Sequence, residues 1–124
     1  MEIEDLRIYK QSMELGEKVW SIVLQWDWFA KDTIGKQLVR SVDSVAANLS
    51  EGFGRYHYRE SAHFGYYSRG SLYETKTWLT KANYRKLISE ADFNLFMKEI
   101  RDIGIKLNNY INTIGKQPKI TKNN

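Results

Sequence analysis

The hydrophobic pattern of this chain has a helical period almost from end to end. The stretch QLVRSVDSVAANLSEGFGR places Leu38, Val42, Val45 and Leu49 at steps of four, three and four, with Arg40, Ser44, Asn48 and Glu51 as a polar stripe beside them. An apolar stripe of this kind needs a partner, and three further segments offer one. The first is predicted over Leu6 to Trp26, capped by Asp5, with Ile8, Leu15, Val19, Ile22 and Trp26 on one face and Trp20 and Val23 widening it. Asp27 to Asp32 reads as a connection, and Asp32 as the cap of the second helix. Gly52 to Tyr58 closes that helix, because glycine readily takes the left-handed backbone of a C-terminus.

The third helix is predicted over Arg59 to Leu87, with Phe64, Tyr67, Ser71, Trp78 and Ala82 inward. Gly65, Gly70 and Ser71 lower its helix propensity and read as marks of close helix approach. Ser89-Glu90-Ala91-Asp92 reads as a capping box. Behind it, Phe93, Phe96, Met97, Ile100, Ile103, Leu107, Tyr110, Ile111 and Ile114 give the fourth helix the cleanest period in the chain. Gly115 ends it, so residues 1–115 form the bundle domain and residues 116–124 a polar basic tail. Four helices with short connections predict an all-α, up-down-up-down antiparallel four-helix bundle. No internal repeat argues for a solenoid instead.

Composition narrows the function. A chain of 124 residues suits one domain. The absence of cysteine excludes disulfides and thiolate metal sites, and the single proline, Pro118, agrees with a helical chain. No apolar run approaches the roughly 20 residues of a membrane span. The acidic start MEIEDL lacks the basic region of a signal peptide, so a soluble, cytoplasmic protein is expected, with no membrane partner. Residues 1 to 62 hold eight Lys/Arg and ten Asp/Glu, net −2, whereas residues 63 to 124 hold eleven and five, net +6. That asymmetry permits a polyanion-facing surface in the second half.

Candidate chemistry is sparse. Arg40, Asn48 and Glu51 fall near one side of helix two, and with Glu74 they could pass for an acid–base set. The reading preferred here is a buried polar network that fixes helix register, since a charge between helices must be paired. A di-metal bundle site needs Glu-x-x-His on two helices, and only Glu60 with His63 supplies one. Gly52 to Arg55 follows a helix rather than a strand and lacks a Gly-Lys-Ser/Thr ending, so it is no phosphate loop. No catalytic residue, metal, cofactor or small-molecule substrate is therefore expected.

The run Ala-Asn-x-x-Glu-Gly-x-Gly-Arg at Ala47 to Arg55, the following YRESAHFGYY, and Arg-Gly-Ser-x-x-Glu at Arg69 to Glu74 resemble the family of four helix bundle proteins encoded by intervening sequences of bacterial large-subunit rRNA genes. Its members are sometimes called ribosomal proteins. The likeness extends from DLRIYKQSMEL to the fourth helix. It implies a bundle that assembles into a ring, commonly a homopentamer, and a related branch, the accessory variability determinant of diversity-generating retroelements, works with nucleic acid. The chain departs from the common pattern at Ala30, where proline is usual, and at Val39, Ser41 and Asp43, where arginine and alanines are usual.

One feature of the residues themselves points to a partner. Tyr66, Arg69, Tyr73 and Lys76 recur at three, four and three along helix three, a stripe that could stack bases and neutralise phosphates or could bury itself against another protein. We expect Tyr66, Arg69 and Tyr73 to serve a subunit contact, and Arg69, Lys76, Lys81, Arg85 and Lys86 to form the candidate nucleic-acid surface. The expected protein is thus a non-catalytic homo-oligomer associated with RNA, with a purely protein-binding adaptor as the alternative.

Overall fold

The computed structural model describes residues 1–115, so the predicted tail lies outside the described residues. Four long helices dominate: α1 (Arg7–Val23), α2 (Lys36–Phe53), α3 (Tyr58–Tyr84) and α4 (Glu90–Gly115). Each pair of chain neighbours packs together, and α1 returns against α4, so the helices stand around the core in the order of the sequence. That is the all-α four-helix bundle predicted from the periodicity. Leu15, Val19, Leu38, Val42, Val45, Leu79, Ile103 and Leu107 are sealed at its centre. In α4, Phe96, Ile100, Ile103, Leu107 and Ile111 are buried as their spacing predicts.

The helix ends differ from expectation in instructive ways. Asp5 does not cap α1. Its carboxylate instead accepts from the Glu2 backbone N–H at 2.9 Å, closing a short 3-10 turn over Ile3–Asp5, and Leu6 stands at the cap without a side-chain bond. The second helical stretch starts at Asp27, not Asp32: the Asp27 carboxylate accepts from the Ala30 N–H at 2.9 Å. From there Trp28–Ala30 runs through a wide π turn, Lys31–Gly35, directly into α2. Asp32 lies inside that turn and pairs with Lys36 at 2.9 Å.

No glycine takes a positive φ; Gly52 is a packing residue within α2 rather than a left-handed terminus. A Cβ on it would lie 2.7 Å from Phe64 Cβ and 3.0 Å from the Ser61 carbonyl oxygen. Among the described residues the one left-handed position is Lys86 (φ 58°), which closes α3: the Lys86 N–H donates to Asn83 O and the Leu87 N–H to Ala82 O. At the start of α4, Ser89 Oγ accepts from the Asp92 N–H at 3.1 Å, the Ser-to-backbone half of the capping box.

The inward face of α3 is offset from the predicted one. Its buried line is Ser61, Gly65, Ser68, Leu72, Thr75, Leu79 and Ala82, at steps of four and three throughout. Ala82 alone is common to both readings; Tyr67 is exposed, and Phe64, Ser71 and Trp78 are only half-buried. The reason is closeness to α2. Ser61 Oγ donates to Gly52 O at 2.8 Å, Ser68 Oγ to Val45 O at 2.7 Å, and Thr75 Oγ1 lies 3.0 Å from Ser41 Oγ. Small hydroxylated side chains let the two backbones approach while satisfying every buried polar group along the seam. Toward α4, Gly65 serves the same end, since a Cβ there would sit 2.7 Å from Ile111 Cγ1. Gly70 is different: nothing lies within 4 Å of its missing Cβ, so it marks no close approach.

Candidate interaction surfaces

The four residues expected to form an internal polar network do not meet. Arg40 is exposed on α2, and Asn48 donates within its own helix to Ser44 O at 2.9 Å. Glu51 pairs with Arg55 at 2.8 Å, and Glu74 is exposed and accepts from Trp78 Nε1 at 3.1 Å. Each is served along one helix or by solvent, so the register-fixing role passes to the serine–threonine seam, whose members carry no charge to desolvate. Elsewhere, α1 is clasped to α4 by polar groups. Gln11 donates to Asp102 at 2.8 Å and Lys106 to both of them, and these bonds hold the exposed Asp102 carboxyl below the usual carboxylate range. Among the described residues, no three His, Asp or Glu side chains gather closely enough to hold a metal ion.

Two surfaces stand out. The first is the outward face of α3, where Tyr66, Tyr73 and Tyr84 are exposed. The Arg69 guanidinium lies 4.9 Å from the centre of the Tyr66 ring and donates to Asn108 Oδ1 at 2.9 Å, which fixes it over the helix. Lys76, Lys81, Arg85 and Lys86 are all exposed, and none has a carboxylate within ion-pair distance among the described residues. The structure therefore brings the predicted interface and nucleic-acid residues onto one helix and the turn that ends it.

The second surface was not singled out in the sequence. Between α1 and α2 runs an open groove of about 590 Å³, lined by Trp20, Val23, Val39 and Ala47, with Lys31 and Arg40 among its polar groups. Trp20, predicted to widen the core face of α1, is 51% exposed instead. Met13 and Leu24, exposed on the same flank of α1, extend this apolar strip, and Trp28 (74%) and Phe29 (71%) stand out at the corner beyond it. The spacing of Met13, Trp20 and Leu24, steps of seven and four, is a second helical stripe that could have disclosed the face.

Asp43 also lines the groove, and a Cβ on Gly16 would stand 3.1 Å from its Oδ1, so its carboxylate lies against the α1 backbone. It has no side-chain bond or ion pair among the described residues. Partial burial, and the nearby Glu17 charge, push its carboxyl above the usual value.

Residues 4–109 match the family described as 23S rRNA-intervening sequence protein. No curated protein matches the chain. Among solved structures, a protein of unknown function from the S23 ribosomal protein family of Bacteroides thetaiotaomicron superposes with a TM-score of 0.76, at 17% identity over 85% of this chain and 95% of that one. At that identity the likeness establishes the fold.

Proposed function

This chain belongs to the 23S rRNA-intervening sequence protein family, and on that footing we propose that it is a non-catalytic, self-assembling helical scaffold that associates with RNA. The observation that carries this reading is the outward face of α3, where exposed tyrosines alternate with cations that have no carboxylate partner within the described chain. Tyrosine rings offer a sequence-tolerant surface for unpaired bases, and lysine and arginine neutralise the phosphates between them. Tyr84 with Lys76, Lys81, Arg85 and Lys86, toward the end of α3 and the turn after it, are the residues assigned to RNA; Tyr66, Arg69 and Tyr73, nearer its middle, are assigned to contact between copies. A ring, in the pentameric form that the family resemblance suggests, would repeat the basic patch around its circumference. Weak individual contacts then add by multivalency.

The test is retardation of single-stranded and structured RNA by the purified protein. Binding should be measurable at about 50 mM salt and fall by orders of magnitude toward about 200 mM, as released counterions dictate. Lys81→Glu with Arg85→Glu should weaken it while leaving the circular dichroism spectrum unchanged. No retardation of any RNA at the lower salt would overturn RNA association and leave a protein-binding scaffold in its place.

A further inference from the structure

We propose that the RNA surface of α3 continues across one end of the bundle onto the corner between α1 and α2, where Trp28 and Phe29 stack unpaired bases, so that the protein selects single strands and loops over duplex. The inference rests on the RNA reading above and names the form of RNA which that reading leaves open. Two corners far apart in sequence meet at this end. The indole N–H of the buried Trp26 bonds to Leu87 O, and Trp26, Ala30 and Ile88 plug the core beneath it. Trp28 and Phe29 lie two and three residues beyond one partner of that bond, and Tyr84, Arg85 and Lys86 lie three, two and one before the other. Trp28, Phe29 and Tyr84 are all exposed.

The two rings of the corner stand on an ordered support. Beneath them the Asp27 carboxylate caps the Ala30 N–H, the Lys31 N–H donates to Asp27 O at 3.0 Å, and Thr33 Oγ1 donates to Phe29 O at 2.7 Å. Ala30 is buried on this helical turn, which leaves Trp28 and Phe29 to face water. Rings held in place before a partner arrives cost little further ordering when it stacks on them. Around them stand Lys31, Lys81, Arg85 and Lys86, none with a carboxylate within ion-pair distance among the described residues. The carboxylates of this end are engaged in other ways. Asp27 caps its turn, Asp32 pairs with Lys36, and Glu90 and Asp92 sit in the first turn of α4, where the N–H groups of that helix offset them. The surface therefore calls for an anion with flat apolar faces. A duplex keeps the faces of its bases inside, whereas a single strand or loop splays them onto aromatic rings and brings its phosphates to the neighbouring cations. An uncharged apolar partner would cover the rings and leave the four cations unmatched.

The test compares an unstructured RNA strand with the duplex it forms with its complement, at equal salt. The wild-type chain should hold the strand more tightly. Trp28→Leu with Phe29→Leu keeps apolar side chains but removes the aromatic faces; it should weaken strand binding about tenfold or more and leave duplex binding within about twofold. Trp28→Phe with Phe29→Tyr should keep the strand affinity. Both side chains are exposed, so the circular dichroism spectrum should not change in either variant. A wild-type chain that holds duplex as tightly as strand, or a leucine variant that loses neither or both alike, would overturn the inference and leave RNA association standing. Failure of the wild type to bind either RNA would overturn the RNA reading and this inference with it. Binding to phosphatidylglycerol vesicles that survives the leucine changes, with strand binding unmoved by them, would give the rings to a membrane instead. A second measurement needs no substitution. Irradiation of the wild-type chain on a strand carrying 5-iodouridine, which crosslinks to stacked aromatic rings, should attach the strand to Trp28 or Phe29, and adducts confined to other residues would overturn the inference.

Discussion

Helix α2 has two flanks, and they are built on opposite plans. Against α3 it meets serines and a threonine, with its own Gly52 close to Ser61 and Phe64, and the backbones close until hydroxyl groups bond directly to carbonyls. Against α1 it meets Gly16 at one level and then parts into a groove beside Trp20. Small side chains spend their surface on each other and leave nothing to offer outside. A large ring at the edge of a helix pair keeps the flank open and lends it chemistry. The difference teaches that small hydroxylated side chains let this pair of helices close tightly, while large aromatic rings such as Trp20, Trp28 and Phe29 stand exposed on the other flank and at the corner beyond it.

The comparison can be broken most severely by filling the tight seam. Ser68→Leu puts a branched side chain where Ser68 is completely buried and 2.7 Å from Val45 O, and should lower unfolding free energy in urea by about 3 kcal/mol. Next come two glycines treated alike. Gly52→Ala should cost about 1 to 2 kcal/mol, because the contact with Phe64 and the Ser61 backbone outweighs alanine's helix preference of about 1 kcal/mol. Gly70→Ala, with open space around it, should raise stability by up to about 1 kcal/mol. Two serines give a smaller, paired effect. Ser68→Ala removes a seam bond and should lose about 1 kcal/mol, whereas Ser12 Oγ is buried with no partner among the described residues, so Ser12→Ala should gain about as much.

The smallest effect belongs to the open flank. Because burial and Glu17 raise the Asp43 carboxyl, the folded chain holds that proton more tightly than the unfolded chain, and the contribution of this group to stability grows as pH falls from neutral. Asp43→Asn should therefore raise the melting temperature slightly at pH 7, with the gain closing as pH drops below the ordinary carboxylate value of 3.8.

The fold was legible because α4 and α2 carry their cores in isoleucine, leucine, valine and phenylalanine, residues that hydropathy registers. The inner face of α3 was misread because Ser61, Gly65, Ser68 and Thr75 carry almost no hydropathic signal; what places them inside is the backbone of α2, a neighbour that a local pattern does not contain. Trp20 misleads for the converse reason: it is hydrophobic and at nearly the right phase, yet it stands at the edge of the core face, 51% exposed. The start of the second helix was placed late because Asp27 and Asp32 are equally good caps in sequence, and only the π turn through Lys31–Gly35 shows the helix already under way. Of the surfaces, the α3 stripe could be read from one helix. The groove could not, since it belongs to a pair of helices, and the acidic character of Asp43 matters only beside Gly16 and Glu17.

Trp26, buried just beyond α1, donates its indole N–H to Leu87 O across 61 residues of sequence at 3.0 Å. One partner belongs to the corner of the α1–α2 hairpin and the other to the corner of the α3–α4 hairpin, so the bond exists only once the two halves of the chain have found each other. Either hairpin could form from near neighbours, but neither alone can bury that ring. Trp26 is thus a built-in clock for the final docking step. Replacing the other three tryptophans with phenylalanine would leave a single fluorophore whose blue shift, followed in a stopped-flow refolding trace, times the closure of the whole bundle rather than the winding of any one helix.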